Sequence, residues 1–172
     1  MTIQELERCI ALYGKDIYSF CFRLTGNKET ADDLYQDTFL EAIKKLPNIR
    51  YKDNPKSYLL SIAIRLWKNT KRKAAWRARI LPRVSSDEIS ESSIDSAPDQ
   101  INTIIKKEET QYLWDAIDRL AEQYRIPILL YYMEELSTNE ISSLLSIPQG
   151  TVKSRLHHAR KQLEKELEEY FS

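Results

Sequence analysis

The chain reads as all-α, with two small helical domains joined by a flexible acidic linker. Three observations carry this: apolar residues recur at intervals of three and four along most of the chain, strand-like alternation is hard to find, and only 3 of 172 residues are Gly. A hydrophobic share of 42% is enough for real cores at this length. No run approaches membrane-spanning length, and the opening MTIQELERCIALYGKD lacks the basic-then-apolar order of a signal peptide, so a cytoplasmic protein is expected.

The first helix follows from Leu6, Ile10, Tyr13, Ile17, Phe20 and Leu24 and should end near Gly26-Asn27, where Gly supplies a left-handed cap. A second runs from about Glu29 to Leu46, with Ala31, Leu34, Thr38, Phe39, Ala42, Ile43 and Leu46 inward, and stops at Pro47. NIRYKDNP is then a polar, aromatic-bearing loop. After it Tyr58, Leu59, Ile62, Ala63 and Leu66 begin a third helix that becomes strongly basic. From about Leu81 to Asn102 the chain is rich in Ser and acids, with two prolines and little to bury, and reads as a linker. Periodicity returns with Ile104, Ile105, Glu108, Tyr112, Leu113, Ala116, Ile117 and Leu120, and after Pro127 with Leu129, Leu130 and Met133. The expected plan is a domain over 1–80, a linker over 81–103 and a domain over 104–172.

Within the second domain, Leu136 to Arg160 reads as two short helices around a tight turn. Ser137 and Glu140 form a capping-box pair that starts the first helix, and Ile141, Leu144 and Leu145 give its apolar face. Ser146-Ile147-Pro148-Gln149-Gly150 then breaks the pattern, Pro148 being tolerated at the first position of a helix. Beyond it Val152, Leu156, Ala159, Leu163 and Leu167 form one stripe and leave Ser154, His157, His158 and Lys161 facing away, flanked by Lys153, Arg155 and Arg160. Short polar, imidazole and cationic groups on one helix face suit the DNA major groove. A solvated amphipathic helix is the plainer reading of the charge, but cap, turn and basic second helix together point to a helix-turn-helix.

Net charge is zero, with 26 basic and 26 acidic residues, yet the charges are segregated. Asn54 to Ser86 holds no acidic residue while Lys56, Arg65, Lys68, Lys71, Arg72, Lys73, Arg77, Arg79 and Arg83 accumulate; Asp87 to Gln100 holds no basic one. Such segregation signals a charged partner. Cys9 and Cys21 fall about 120° apart around one helix and read as buried thiols in a reducing compartment. His157 and His158, adjacent and without ligands at metal spacing, are poor metal candidates. No phosphate loop or nucleophile set appears, so neither an enzyme nor a cofactor is expected. The acids Asp32, Asp33, Asp37 and Glu41 along one helix read as a docking or solvated face.

Three blocks together, ADDLYQDTFLEAIKKL (31–46), PKSYLLSIAIRLWKNTKRK (55–73) and LSTNEISSLLSIPQGTVKSRLHHARKQL (136–163), resemble those of the extracytoplasmic-function (ECF) sigma factors of bacterial RNA polymerase. The resemblance covers nearly the full chain and implies the second and fourth conserved regions of that family. It implies that Asp33, Gln36, Asp37 and Phe39 dock on core polymerase, through its beta-prime subunit, with the beta subunit as a further contact. It implies that Tyr58, Arg65, Lys68, Asn69 and Lys71 capture the unwound minus-ten element. For the minus-thirty-five element it implicates Thr138, Asn139, Gly150, Thr151, Lys153, Ser154, Arg155, His157 and His158. An anti-sigma factor, often membrane-anchored in that family, is a further implied partner.

A cationic track with aromatic platforms, here Tyr51, Tyr58, Trp67 and the run from Lys68 to Lys73, is what an unwound strand requires. The chain departs from the family pattern at four places. Arg65 stands at a position usually Asn, Tyr58-Leu59 replaces a frequent Trp-Leu, Glu135 replaces a Gly, and Tyr131 replaces a basic residue. Two other classes compete. A stand-alone helix-turn-helix regulator would bind duplex without polymerase, and a helical adaptor would show no salt-dependent DNA affinity.

Overall fold

The computed structural model describes residues 1–46, 54–80 and 101–172, without the side chains of 101–106. Tyr51 with most of its loop, nearly all of the linker segment, and the side chains of Ile104 and Ile105 therefore lie outside the described residues. The chain divides into two compact units, Met1–Ser92 and Ser93–Ser172.

The first unit is three mutually packed helices, α1 (Ile3–Thr25), α2 (Lys28–Lys44) and α3 (Pro55–Ile80). A reciprocal capping box between Thr2 and Glu5 opens α1, and Gly26, at φ 68°, closes it by donating its N–H to the Phe22 carbonyl at 2.8 Å. Asn27 caps α2 by accepting from the Thr30 N–H at 3.1 Å. The core joins Leu6, Ile17, Phe20 and Leu24 of α1 to Leu34 and Phe39 of α2 and Leu59, Leu60, Ile62 and Ile64 of α3. Cys9 and Cys21 are buried free thiols in the same core. Thr38 is completely buried, its hydroxyl satisfied by donating to the Leu34 carbonyl one turn back at 2.7 Å.

Two residues expected inward are not. Ile10 is 39% and Ile43 49% exposed. Ile43 lies over 100° from the centre of the buried stripe of α2. Ile10 has the right angle and stays partly open although Leu6, Cys9 and Gly14 around it are buried.

The second unit contains α4 (Ile101–Arg119), α5 (Glu122–Ile128) running into a π-helical turn (Leu129–Met133), α6 (Thr138–Leu145) and α7 (Gln149–Phe171). Its core is built around α7, where Val152, Leu156, Ala159 and Leu163 are buried against elements that include α4, α5 and α6. Leu120, Ile126, Ile128, Leu129, Leu130, Leu136 and Ile141 are buried with them. Arg119 donates twice to Glu166 Oε2, at 2.8 and 3.2 Å, and the Tyr112 hydroxyl donates to the Glu166 carbonyl, fastening α4 to the far end of α7.

Candidate nucleic-acid interface

The turn between α6 and α7 is fixed from both sides. Ser137 Oγ accepts from the Glu140 N–H at 3.2 Å while the Glu140 carboxylate accepts from the Ser137 N–H at 2.9 Å, the reciprocal box that starts α6. Ser146, at φ 54°, ends α6, and the Ile147 N–H and Ser142 hydroxyl close the turn on the Ser142 and Ile147 carbonyls at 3.1 and 2.6 Å. Pro148 is the N-cap of α7, one position before its first turn. Gln149 Nε2 then donates to Thr138 Oγ1 at 2.8 Å and ties the starts of the two helices together.

Because the buried stripe of α7 is continuous, the opposite side is continuous too. Gly150, Lys153, Ser154, His157 and His158 are exposed on it, with Thr151 and Arg155 half-buried. Asn139 is exposed and Thr138 half-buried at the start of α6, beside the first turn of α7. His158 stacks on Tyr124 of α5 at 5.6 Å and 15°, which fixes the imidazole plane. A Cβ added at Gly150 would meet nothing within 4 Å, so no contact among the described residues requires Gly there.

In the first unit, Tyr58, Arg65, Lys68, Asn69 and Lys71 all sit on α3. Arg65 and Lys68 are exposed and Tyr58 and Asn69 half-buried. Arg65 is held by an ion pair with Glu41 of α2 at 3.0 Å, and Glu41 also pairs with Lys45 at 3.1 Å. Those two cations, Lys45 foremost, hold the Glu41 carboxyl below its ordinary pKa. Trp67 is half-buried beneath the Lys71 ammonium, 5.5 Å from its ring centroid, and its enclosed indole N–H meets no hydrogen-bond partner among the described residues. It belongs in part to the packing of α3.

On α2, Asp33, Gln36 and Asp37 are exposed together. Phe39 is not with them. It is 7% exposed, edge-on to Tyr35 at 4.9 Å, and packs in the core of the unit. Leu40, 54% exposed, takes the outward position instead. At 100° per residue Asp33, Gln36, Asp37 and Leu40 fall within about 100° of each other.

Among the described residues no group of acids, Cys or His could hold a metal ion, and no helix is long and apolar enough to cross a membrane. Residues 9–77 match the family model for Sigma-70 region 2, and residues 110–163 that for Sigma-70, region 4. The ECF RNA polymerase sigma factor SigL of Mycobacterium tuberculosis is 31% identical over 163 residues, spanning 92% of this chain and 88% of that protein. The chain belongs to the ECF sigma factors of RNA polymerase.

The ECF RNA polymerase sigma factor SigW of Bacillus subtilis is similar to this sigma factor as well, at 29% identity over 161 residues, 92% of this chain and 86% of SigW. The fold agrees with that of the sigma factor RpoE of Bartonella quintana, solved in complex with the anti-sigma factor NepR. The TM-score is 0.77 at 23% identity, over 96% of this chain and 98% of that one. CnrH in complex with the cytosolic domain of CnrY gives 0.66 at 17%, over 94% and 86%. Sequence periodicity missed Leu40 because Phe39 satisfied the motif. The angular position of Leu40, opposite Ala31, Thr38 and Ala42, was the available signal.

Proposed function

We propose that this sigma factor divides its task between its two units. The exposed Asp33, Gln36, Asp37 and Leu40 face of α2 docks on core polymerase, the carboxylates meeting cations and Leu40 supplying the desolvated centre. Tyr58, Arg65, Lys68, Asn69 and Lys71 take the minus-ten element. In the second unit α7 enters the major groove of the minus-thirty-five element with Gly150, Thr151, Lys153, Ser154, Arg155, His157 and His158, while Thr138 and Asn139 approach its phosphates. The observation that carries this reading is the polar face of α7 from Gly150 to His158, backed by a buried stripe from Val152 to Leu163 and preceded by a turn fixed at both ends. A helix so supported enters a groove at one defined angle. The work is recognition, with no catalytic group, and takes place in the cytoplasm where core polymerase and chromosome meet.

Regulation by an anti-sigma factor is part of the same proposal. The second unit carries a mostly apolar groove of about 480 Å³ lined by residues that include Trp114, Ile117, Ile128, Met133 and Leu167, suited to an amphipathic helix. RpoE and CnrH were each solved with a protein partner. Recovery of the native protein from uninduced cells only as a free monomer would count against this partner.

The division is tested by titrating labelled chain with core polymerase. Asp37→Lys and Leu40→Asp should each weaken the complex by about tenfold or more, while Lys153→Ala leaves it unchanged. Loss of core binding in Lys153→Ala with none in the α2 variants would reverse the assignment.

A further inference from the structure

Among the described residues, the end of α3 contributes nothing to the buried core of its unit. Every residue from Thr70 to Ile80 is exposed, and this stretch includes Trp76 at 63%. A tryptophan left this open on a helix that buries nothing around it marks a surface that meets something else. Its position is ordered. At 100° per residue Tyr58, Arg65, Asn69, Arg72, Trp76 and Arg79 fall within about 80° of one another, on the side opposite the buried Leu59, Ala63 and Leu60. Trp76 stands five turns from Tyr58 on the same line, about 27 Å along the axis. Arg72 donates to Asn69 Oδ1, so the row is also linked through its side chains.

Resting on the sigma-factor reading above, we propose that Trp76 is a second base-stacking platform, flanked by Arg72 and Arg79, that extends the α3 track past Asn69 to further nucleotides of the unpaired promoter strand. The charge of the surface selects the occupant, since no acidic residue occurs from Asn54 to Ser86. An anion with flat apolar faces satisfies both the guanidinium groups and the indole. In a duplex those faces are already stacked and only base edges and phosphates are offered, whereas an unpaired strand presents them. A membrane surface would call for a wide apolar face, and this row carries one indole among cations.

The test reconstitutes wild type, Trp76→Ala, Trp76→Phe and Arg72→Ala with core polymerase. Each is titrated across a salt series onto a promoter fragment, found by run-off transcription, whose minus-ten segment is either duplex or unpaired on one strand. Trp76→Ala should lose about tenfold in affinity for the unpaired fragment, the scale of one stacked base, with its salt slope unchanged. Trp76→Phe should recover most of that loss, and Arg72→Ala should reduce the slope by about one phosphate contact. Equal affinity of Trp76→Ala and wild type for unpaired DNA, or an equal loss on both fragments, would overturn the proposal. Weakened assembly of Trp76→Ala with core would overturn it in favour of a protein-docking surface. A wild-type chain that formed no holoenzyme would fail the sigma-factor reading itself, and this inference with it.

Discussion

The two cationic helices of this protein, α3 and α7, are built on opposite plans. In α7 the apolar residues Val152, Leu156, Ala159 and Leu163 are buried in sequence, so the cations ride on a packed scaffold. In α3 burial stops after Ile64, with Leu66 and Trp67 half-covered, and from Thr70 onward nothing is covered. A helix that reads a duplex must be held at a fixed angle to a groove about 12 Å wide. A helix that lines an unwound strand needs only a row of platforms and charges, because the strand adapts to it. The extent of packing behind the basic face separates α3 from α7 where charge alone does not, and the proposed division of labour rests on that difference.

Removing packing from α7 and exposed bulk from α3 should have very different costs. Leu156→Ala, at a residue 2% exposed, should cost about 2–5 kcal/mol of the stability of the second unit. Trp76→Ala should change stability by no more than about 0.5 kcal/mol. Urea denaturation followed by circular dichroism checks both, and comparable losses would mean that α3 is packed where it is described as free.

Gly150→Ala sharpens the α7 side. With open space around the added Cβ and a helical position, the substitution should gain up to about 1 kcal/mol of stability while lowering affinity for duplex promoter DNA. Unchanged affinity would remove Gly150 from the interface.

Glu135 bears on how firmly the scaffold is held. It adopts φ 56°, a left-handed conformation that favours glycine, at the position where the sequence departs from the family's Gly. Glu135→Gly should stabilise the second unit by about 0.5–1 kcal/mol, read as a shift in its denaturation midpoint.

Most of this architecture was legible in the sequence, and the exceptions have physical causes. The cap of α6, the Gly26 stop and the α7 stripe from Val152 to Leu163 depend on local chemistry, and each stands where the residues placed it. Phe39 and Leu40 could not be separated by motif, since adjacent residues on a helix differ by 100° and only the packed neighbours decide which one is covered. The partners of Arg65 and Lys56, namely Glu41 and Asp16, are 24 and 40 residues away in the chain and leave no local signature. The same holds for the stacking of His158 on Tyr124, which joins two helices.

The Arg65 to Glu41 pair yields the smallest effect. Because the folded pKa of Glu41 lies below its unfolded value, the pair's contribution is present above the unfolded pKa and is lost as pH falls through the folded one. Arg65→Ala should move the Glu41 titration upward toward the ordinary carboxylate range in a carbon-detected NMR titration. No movement would mean that Lys45 alone holds it.

Whether a groove-reading helix and a strand-lining helix serve one initiation factor can be read from run-off transcription. Purified chain is added to bacterial core polymerase with a library of fragments from the source genome. Discrete start sites sharing an upstream and a downstream element, with Lys153→Ala or Ser154→Ala weakening use of the upstream one, are the predicted result. No transcripts, together with tight duplex binding in the absence of core polymerase, would contradict the account and leave a stand-alone regulator.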